Sequence, residues 1–359
     1  MLKRSLAAFL IAAFALAIPT AAEPPENQQP TLTPQNSATT NGLIAVSPVN
    51  PQVVWASGRA GTFVVTTDGG NTWKAGVVPG AESLQFRDVE GVSAKVAYLQ
   101  SIGVSGNPTD FRIYKTVDGG ATWTMQFQNQ NPGAFYDCFA FWTPKRGISH
   151  SDSVNGVFPD LRTTDGTTWQ DISNNMPPAL PGEASFAASG TCVATQGGQN
   201  AWIATGGSTI ARVLATRDSG DTWNAYNTPL VSSPSAGAFT VAFRNPWKGI
   251  VGGGDLDPSD PNNARTATSS DGGVTWTLTN PPPVTGAIFG LAYSHGVGNG
   301  DGSSTVVVTA NAGGAAWTPD EGTTWFTLPG VTGYWAVAFA SPKAGWLVGT
   351  NGRILKISF

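Results

Sequence analysis

The chain has 359 residues, a formal net charge of −4, only 12% charged side chains, and 44 Gly and 13 Trp. There is no basic stripe, so a nucleic-acid partner is not expected. No stretch reaches membrane-spanning length, while many turns and large aromatic anchors indicate a β-rich repeat protein.

Residues 1–22 place Lys3 and Arg4 before an apolar run from Leu6 to Ile18, and end on Thr20-Ala21-Ala22. This order reads as a secretory signal peptide, so export to the periplasm or the extracellular space is expected. Loss of Lys3 and Arg4 would take the net charge from −4 to −6. No Cys follows the apolar run to carry a lipid. Residues 23–41 are rich in Pro, Gln, Asn and Thr and read as a flexible tether. Residues 42–359 are long for one ordinary domain but suit one closed repeat fold.

Six boxes punctuate that region: Thr66–Trp73, Thr116–Trp123, Thr163–Trp169, Thr216–Trp223, Ser269–Trp276 and Thr318–Trp325. Their Trp residues lie 50, 46, 54, 53 and 49 apart, the period of one supersecondary unit. Each box has a reason in local chemistry. Asp68, Asp118, Asp165, Asp218, Asp271 and Asp320 open a tight turn, where a short carboxylate accepts backbone N–H groups further along. Gly70, Gly120, Gly220, Gly273 and Gly322 supply positive φ. The Trp then buries a large ring between neighbouring units. The third box is one residue short, which predicts a tighter turn.

The pattern S/T-x-D-x-G-x-T-W resembles the Asp-box, or BNR, repeat. The resemblance implies an all-β propeller whose boxes join the third and fourth strands of each blade, away from the binding face. It also makes the six box aspartates structural. With "GWLVGTNGRILK" and the turns below, the chain resembles the photosystem II assembly factor-like group of propellers. It is also similar to exported bacterial relatives labelled oxidoreductase or glycosyl hydrolase.

A second motif, F-x-x-P-x-x-G, counts the blades. It occurs at Phe141, Phe243 and Phe339, with a looser relative at Ala45–Trp55. Pro48, Pro144, Pro246 and Pro342 are 96, 102 and 96 apart, two box periods each time. The motif therefore marks the turn between first and second strands in blades one, three, five and seven. Seven blades are expected, with six as the alternative. Blade seven has three strands and no box, and a segment near Thr31–Thr40 is available as its fourth, because an open propeller leaves an unpaired edge.

A binding face is expected on the loops between second and third strands and on the links between blades. Those segments carry Arg59, His150, Asp152, Arg212, Asp255, Asp257, Asp260, Arg265 and Arg353, and the links add Tyr136, Asp137, Glu183, Tyr334 and Trp335. Arginine, carboxylate and aromatic groups around a funnel suit a protein segment or a glycan. The long loop from Gly252 to Arg265 does not match an EF-hand, and two distant histidines, His150 and His295, give no zinc pattern. His150 and Asp152 are close enough in sequence to relay a proton.

Cys138 and Cys192 fall on the first strands of blades three and four. Export permits a disulfide, but inner strands of adjacent blades are widely spaced, which favours two buried thiols. No motif for a nucleotide, flavin, haem or metal cofactor is present. The sequence thus predicts a monomeric, non-enzymatic binding or assembly-factor-like propeller with a protein or glycan ligand. The alternative is a sialidase- or xyloglucanase-like glycoside hydrolase, whose carboxylate pair would be Asp152 with Glu183 or Asp255.

Overall fold

The computed structural model describes Pro24 and residues 29–102, 107–257, 259, 263–295 and 304–359. The signal-peptide reading falls on residues outside this set, as does Asp260. Seven four-stranded antiparallel sheets follow one another around a central channel. The first, innermost strands are Leu43–Pro48, Gln85–Gly91, Tyr136–Thr143, Val193–Gln196, Ala236–Phe243, Gly290–Tyr293 and Tyr334–Ser341. The F-x-x-P-x-x-G segments form the turns to the second strands of blades three, five and seven, and every box joins third to fourth strand.

The box turns are self-contained clasps. Thr66 Oγ1 donates to Asp68 Oδ1 (2.8 Å) and accepts from Gly70 N (3.0 Å), while Thr72 donates through its N–H (2.9 Å) and its hydroxyl (2.6 Å) to the same carboxylate. Asp118, Asp218 and Asp271 repeat this arrangement. In the short third box, Gly166 N reaches Thr163 Oγ1 after three residues rather than four, and Asp165 accepts from both Thr167 N and Thr168 N. These donors hold Asp68 and Asp118 at about 2 and Asp165 well below the usual carboxylate range.

Burial is divided among the gaps between blades. Seven apolar clusters each draw on two adjacent blades. The box tryptophans help to fill them: Trp123 of blade two packs edge-on against Trp55 and Phe63 of blade one. Between blades four and five, Trp202 stacks on Phe243 at 3.6 Å, and Trp276 meets the same ring edge-on. Such aromatic pairs add about 0.5–1.5 kcal/mol beyond the area they bury.

The ring closes with a strand from the other end of the chain. Thr31–Asn36 pairs antiparallel with Arg353–Ser358, Thr31 opposite Ser358. Gln35 fastens this strand across the seam. Its Oε1 accepts from the indoles of Trp73 in blade one and Trp346 in blade seven, both at 3.1 Å.

Cys138 and Cys192 are joined by a disulfide, with Cα atoms 5.9 Å apart, correcting the expectation of two free thiols. The wide spacing assumed between inner strands fails locally. Blade three bulges between Tyr136 and Cys138, and the paired strand of blade four does not begin until Val193, so the two cysteines meet where both ladders are irregular.

Candidate functional site

The inner strands share a feature that places side chains around the channel. Near its start, each of five strands skips one residue in its pairing with the second strand: Ile44, Arg87, Asp137, Phe239 and Trp335. A bulged residue leaves the alternation of its strand, so its side chain is not committed to either flanking gap. The consequence is visible in contacts that run from blade to blade. Phe239 stacks with Phe186 (3.8 Å) and Phe289 (6.0 Å), and Phe289 stacks with Trp335 (5.3 Å), a ladder from blades four to seven. Phe186, Phe289 and Trp335 are half-buried.

The opposite arc is charged. Arg87 Nη1 donates to Ala187 O (2.9 Å), reaching from blade two to the entry of blade four, and its Nε has no acceptor. Burial, then the charge of Arg59, lowers Arg87 to about 10, while Asp137 acts the other way. Asp137 is buried and no donor reaches its carboxyl oxygens; burial first, and the carboxyl of Asp152 next, push it well above the usual range. Burial also raises Asp152, which accepts from Ser185 N at 2.9 Å. Asp137 thus faces Asp152, and burial together with the neighbouring carboxyl favours its protonated form.

The channel is not open from end to end. The segment from Phe186 to Thr191 crosses it as a plug. Ala187 O meets Arg87, and Ser189 Oγ bonds Phe289 O (2.5 Å) of blade six and Thr191 Oγ1 (2.7 Å). Gly190 has φ +73°, and a Cβ there would lie 2.4 Å from Asp88 Oδ1, so glycine alone lets the plug pass. Sequence reasoning missed this element. Its only sign is the run of small residues in "ASFAASGT", which permits close backbone approach.

Several predicted site residues are structural. Glu183 is buried and accepts from Arg212 Nε (2.8 Å), Arg212 Nη2, Thr205 Oγ1 (2.6 Å) and Leu180 N (2.8 Å). Glu183 and Arg212 are thus partnered with each other within the fold. Arg265 is buried and donates to the carbonyls of Pro282, Val284 and Gly286. Tyr136 is buried against Phe111, with ring centroids 4.0 Å apart. Asp255 accepts from Ser235 Oγ (2.9 Å) and Asp257 N (2.9 Å), and Asp257 from Ser259, so both organise their own loop. His150 is fully buried and bonds through Nδ1 to Asp160 (2.9 Å) rather than to Asp152. The second strand of blade three ends at Ser151, and Asp160, just ahead of the third strand, is the carboxylate on the histidine's side. Arg59, Arg353 and Trp335 remain at the surface or half-exposed. Of the carboxylates predicted for glycoside hydrolysis, Asp152 sits against Asp137 and Glu183 is paired with Arg212.

No family model and no curated protein matches this chain. Among solved structures it is similar to YCF48 bound to a D1 peptide, at 18% identity and a TM-score of 0.63, over 97% of this chain and 100% of that one. The fold is that of the YCF48 propeller. YCF48 from Cyanidioschyzon merolae is similar over 91% of this chain and 98% of that one, at 16% identity and a TM-score of 0.59. An ancestral GH74 enzyme is similar at 14% identity and a TM-score of 0.52, over 86% of this chain but 36% of that one. At these identities the likeness to YCF48 and to the GH74 enzyme concerns the fold. None of the six box carboxylates lines the main cavity of the channel. Among the described residues no helix is long and apolar enough to cross a membrane.

Proposed function

We propose that this chain is an exported, non-enzymatic binding propeller that takes an extended segment of a partner protein at the loop-face mouth of its channel. The observation that carries this reading is the divided ring above the plug. The Phe239–Phe289–Trp335 ladder offers an apolar seat, and Arg87 beside the Asp137–Asp152 pair offers polar groups with unused hydrogen-bonding capacity. Arg59 and Arg353, exposed above it, supply positive charge at the rim. A large aromatic surface with a few convergent polar groups is the composition of a recognition site. The YCF48 neighbour was solved with a peptide of D1, which supports a peptide as the class of ligand.

Selection from a displayed random-peptide library, followed by calorimetry on the enriched peptides, tests it. Binding is expected to fall roughly tenfold or more in Trp335→Ala, the scale of losing an aromatic anchor, and to persist in Thr72→Ala on the box face. Absence of any enriched peptide, or affinity indifferent to Trp335, would refute the reading.

A further inference from the structure

The turns between first and second strands lie at the same end of the blades as the boxes, so whatever both carry shares one face. What they carry is lysine. Lys95, Lys145, Lys248 and Lys343 occupy those turns in blades two, three, five and seven. Lys74 and Lys115 flank the boxes of blades one and two, and Lys115 donates to Gly166 O in the box of blade three (2.7 Å). Lys356 of blade seven donates to Gly69 O in the box of blade one (3.0 Å). These are all the lysines from residue 42 onward. The loop face has none. Its cations are arginines, most of them committed to carbonyls or to Glu183. Scattered singly along the sequence, the lysines make no basic stripe there; the fold gathers them.

The positive charge is concentrated on one arc. On blades seven, one, two and three, six of the lysines stand against three carboxylates, Asp68, Asp118 and Asp165, each already filled by donors of its own turn. Lys74, Lys95, Lys145 and Lys343 are exposed. Elsewhere on this face Arg162 is paired with Asp221 and Arg244 with Glu321. The net charge of the chain is −4, but the carboxylates of the loop face lie a blade's depth away. A six-residue strand such as Ala344–Gly349 spans about 20 Å, roughly twice the Debye length at 0.1 M salt, so they are largely screened from anything that meets the box face.

The same face is level and has apolar tips. In blades one to five and seven the turn between first and second strand has two to five residues. Val117 in the second box is 63% exposed, and Trp247 in the turn of blade five is 59% exposed, with the Arg217 guanidinium over its ring at 5.5 Å. We propose that the box face docks on an anionic lipid surface, the lysines of blades seven, one, two and three meeting headgroup phosphates and Trp247 lodging at headgroup level. An ammonium on a flexible stem is a point charge that needs no fitted groove, and an exposed indole is at home between water and acyl chains. A single polyanion strand calls instead for a groove that tracks its backbone. Docking this way leaves the peptide mouth turned to water and does not rest on the peptide reading.

Flotation with phosphatidylcholine vesicles, with and without about one-third phosphatidylglycerol, tests it. In about 20 mM salt the protein should float with the anionic vesicles and at least roughly tenfold less with the neutral ones, and about 300 mM salt should release it. Each lysine near such a surface contributes about fivefold, so Lys95→Gln/Lys145→Gln/Lys343→Gln should weaken anionic-vesicle binding roughly a hundredfold. The three side chains are exposed turn tips, so the thermal midpoint should not move, which separates loss of the surface from loss of the fold. Trp335→Ala, on the loop face, should float as the parent does, so this proposal and the peptide reading fail independently. No binding to anionic vesicles in low salt would overturn it. So would binding indifferent to salt or to the lysine substitutions, as insertion of the apolar run at residues 6–18 would give. Capture by dextran sulfate without any flotation would also overturn it, assigning the face to a polyanion instead.

Discussion

Replacing Glu183 by alanine tests whether this carboxylate is a site group or a structural one. It accepts four hydrogen bonds, two of them from Arg212, and both side chains are buried. In Glu183→Ala the guanidinium stays buried, keeping Pro178 O at 3.1 Å among its acceptors but no counter-charge. Breaking a buried pair from one side costs about 3–5 kcal/mol, because an uncompensated charge is left behind. Glu183→Gln keeps one acceptor oxygen but turns an NH₂ group toward the N–H groups of Arg212 and Leu180, at about 1–3 kcal/mol for each unsatisfied group. Removing both charges in Glu183→Leu/Arg212→Met should recover most of the loss, since apolar groups of similar volume often replace such pairs without penalty. Equilibrium urea unfolding followed by tryptophan fluorescence reads all three, with a common slope as the check on comparability. A Glu183→Ala protein as stable as its parent, or a double variant no better than the single, would refute the assignment. A carboxylate held for catalysis would give that first result.

Stability should peak in mildly acidic solution. The box carboxylates Asp68 and Asp118, held at about 2, contribute stability that is present above pH 4 and lost as pH falls through 2. Glu90, raised to about 8, and Asp88, Asp137 and Asp152, raised mainly by burial, favour the folded state while protonated, so stability declines as pH rises from 4 toward 8. Thermal midpoints from pH 2 to 9 should show both limbs, and Glu90→Gln should flatten the upper one; a flat profile above pH 4 would contradict it. Gln35→Leu leaves the indoles of Trp73 and Trp346 without acceptors and should cost about 1–3 kcal/mol for each indole that water cannot reach, with earlier proteolysis of the N-terminal strand. Reducing the disulfide, or Cys138→Ser/Cys192→Ser, should cost about 4 kcal/mol on the chain-entropy estimate for its sequence separation of 54, read as a lower urea midpoint. Gly190→Ala should destabilise the plug, because the new methyl overlaps Asp88; an unchanged midpoint would mean the plug has room.

What the sequence discloses here is what the chain determines over a few residues. A box is a turn whose donors and acceptor lie within five positions, so Thr66, Asp68, Gly70 and Thr72 announce the clasp wherever they occur. Counting the boxes and the proline turns then yields seven blades. The site depends on events of longer range. That Arg87, Asp137, Phe239 and Trp335 are unpaired is a property of register with a second strand, and single-strand alternation does not reveal it. Arg212 lies 29 positions from the carboxylate it neutralises. His150 chose Asp160 over the nearer Asp152 because a strand boundary intervened. Polar residues at predicted loop tips such as Arg212, Asp255 and Arg265 thus have partners within the fold that their sequence neighbourhood does not reveal.

The seam has a temporal meaning. Thr31 sits opposite Ser358, so the first strand of the propeller cannot find its neighbour until the blade-seven strand that carries Ser358 has been made. Until then the growing polypeptide holds an idle edge at one extremity and, on the other side, a wheel missing its final spoke. The indoles of Trp73 and Trp346 find their shared acceptor, Gln35 Oε1, only when that strand is seated.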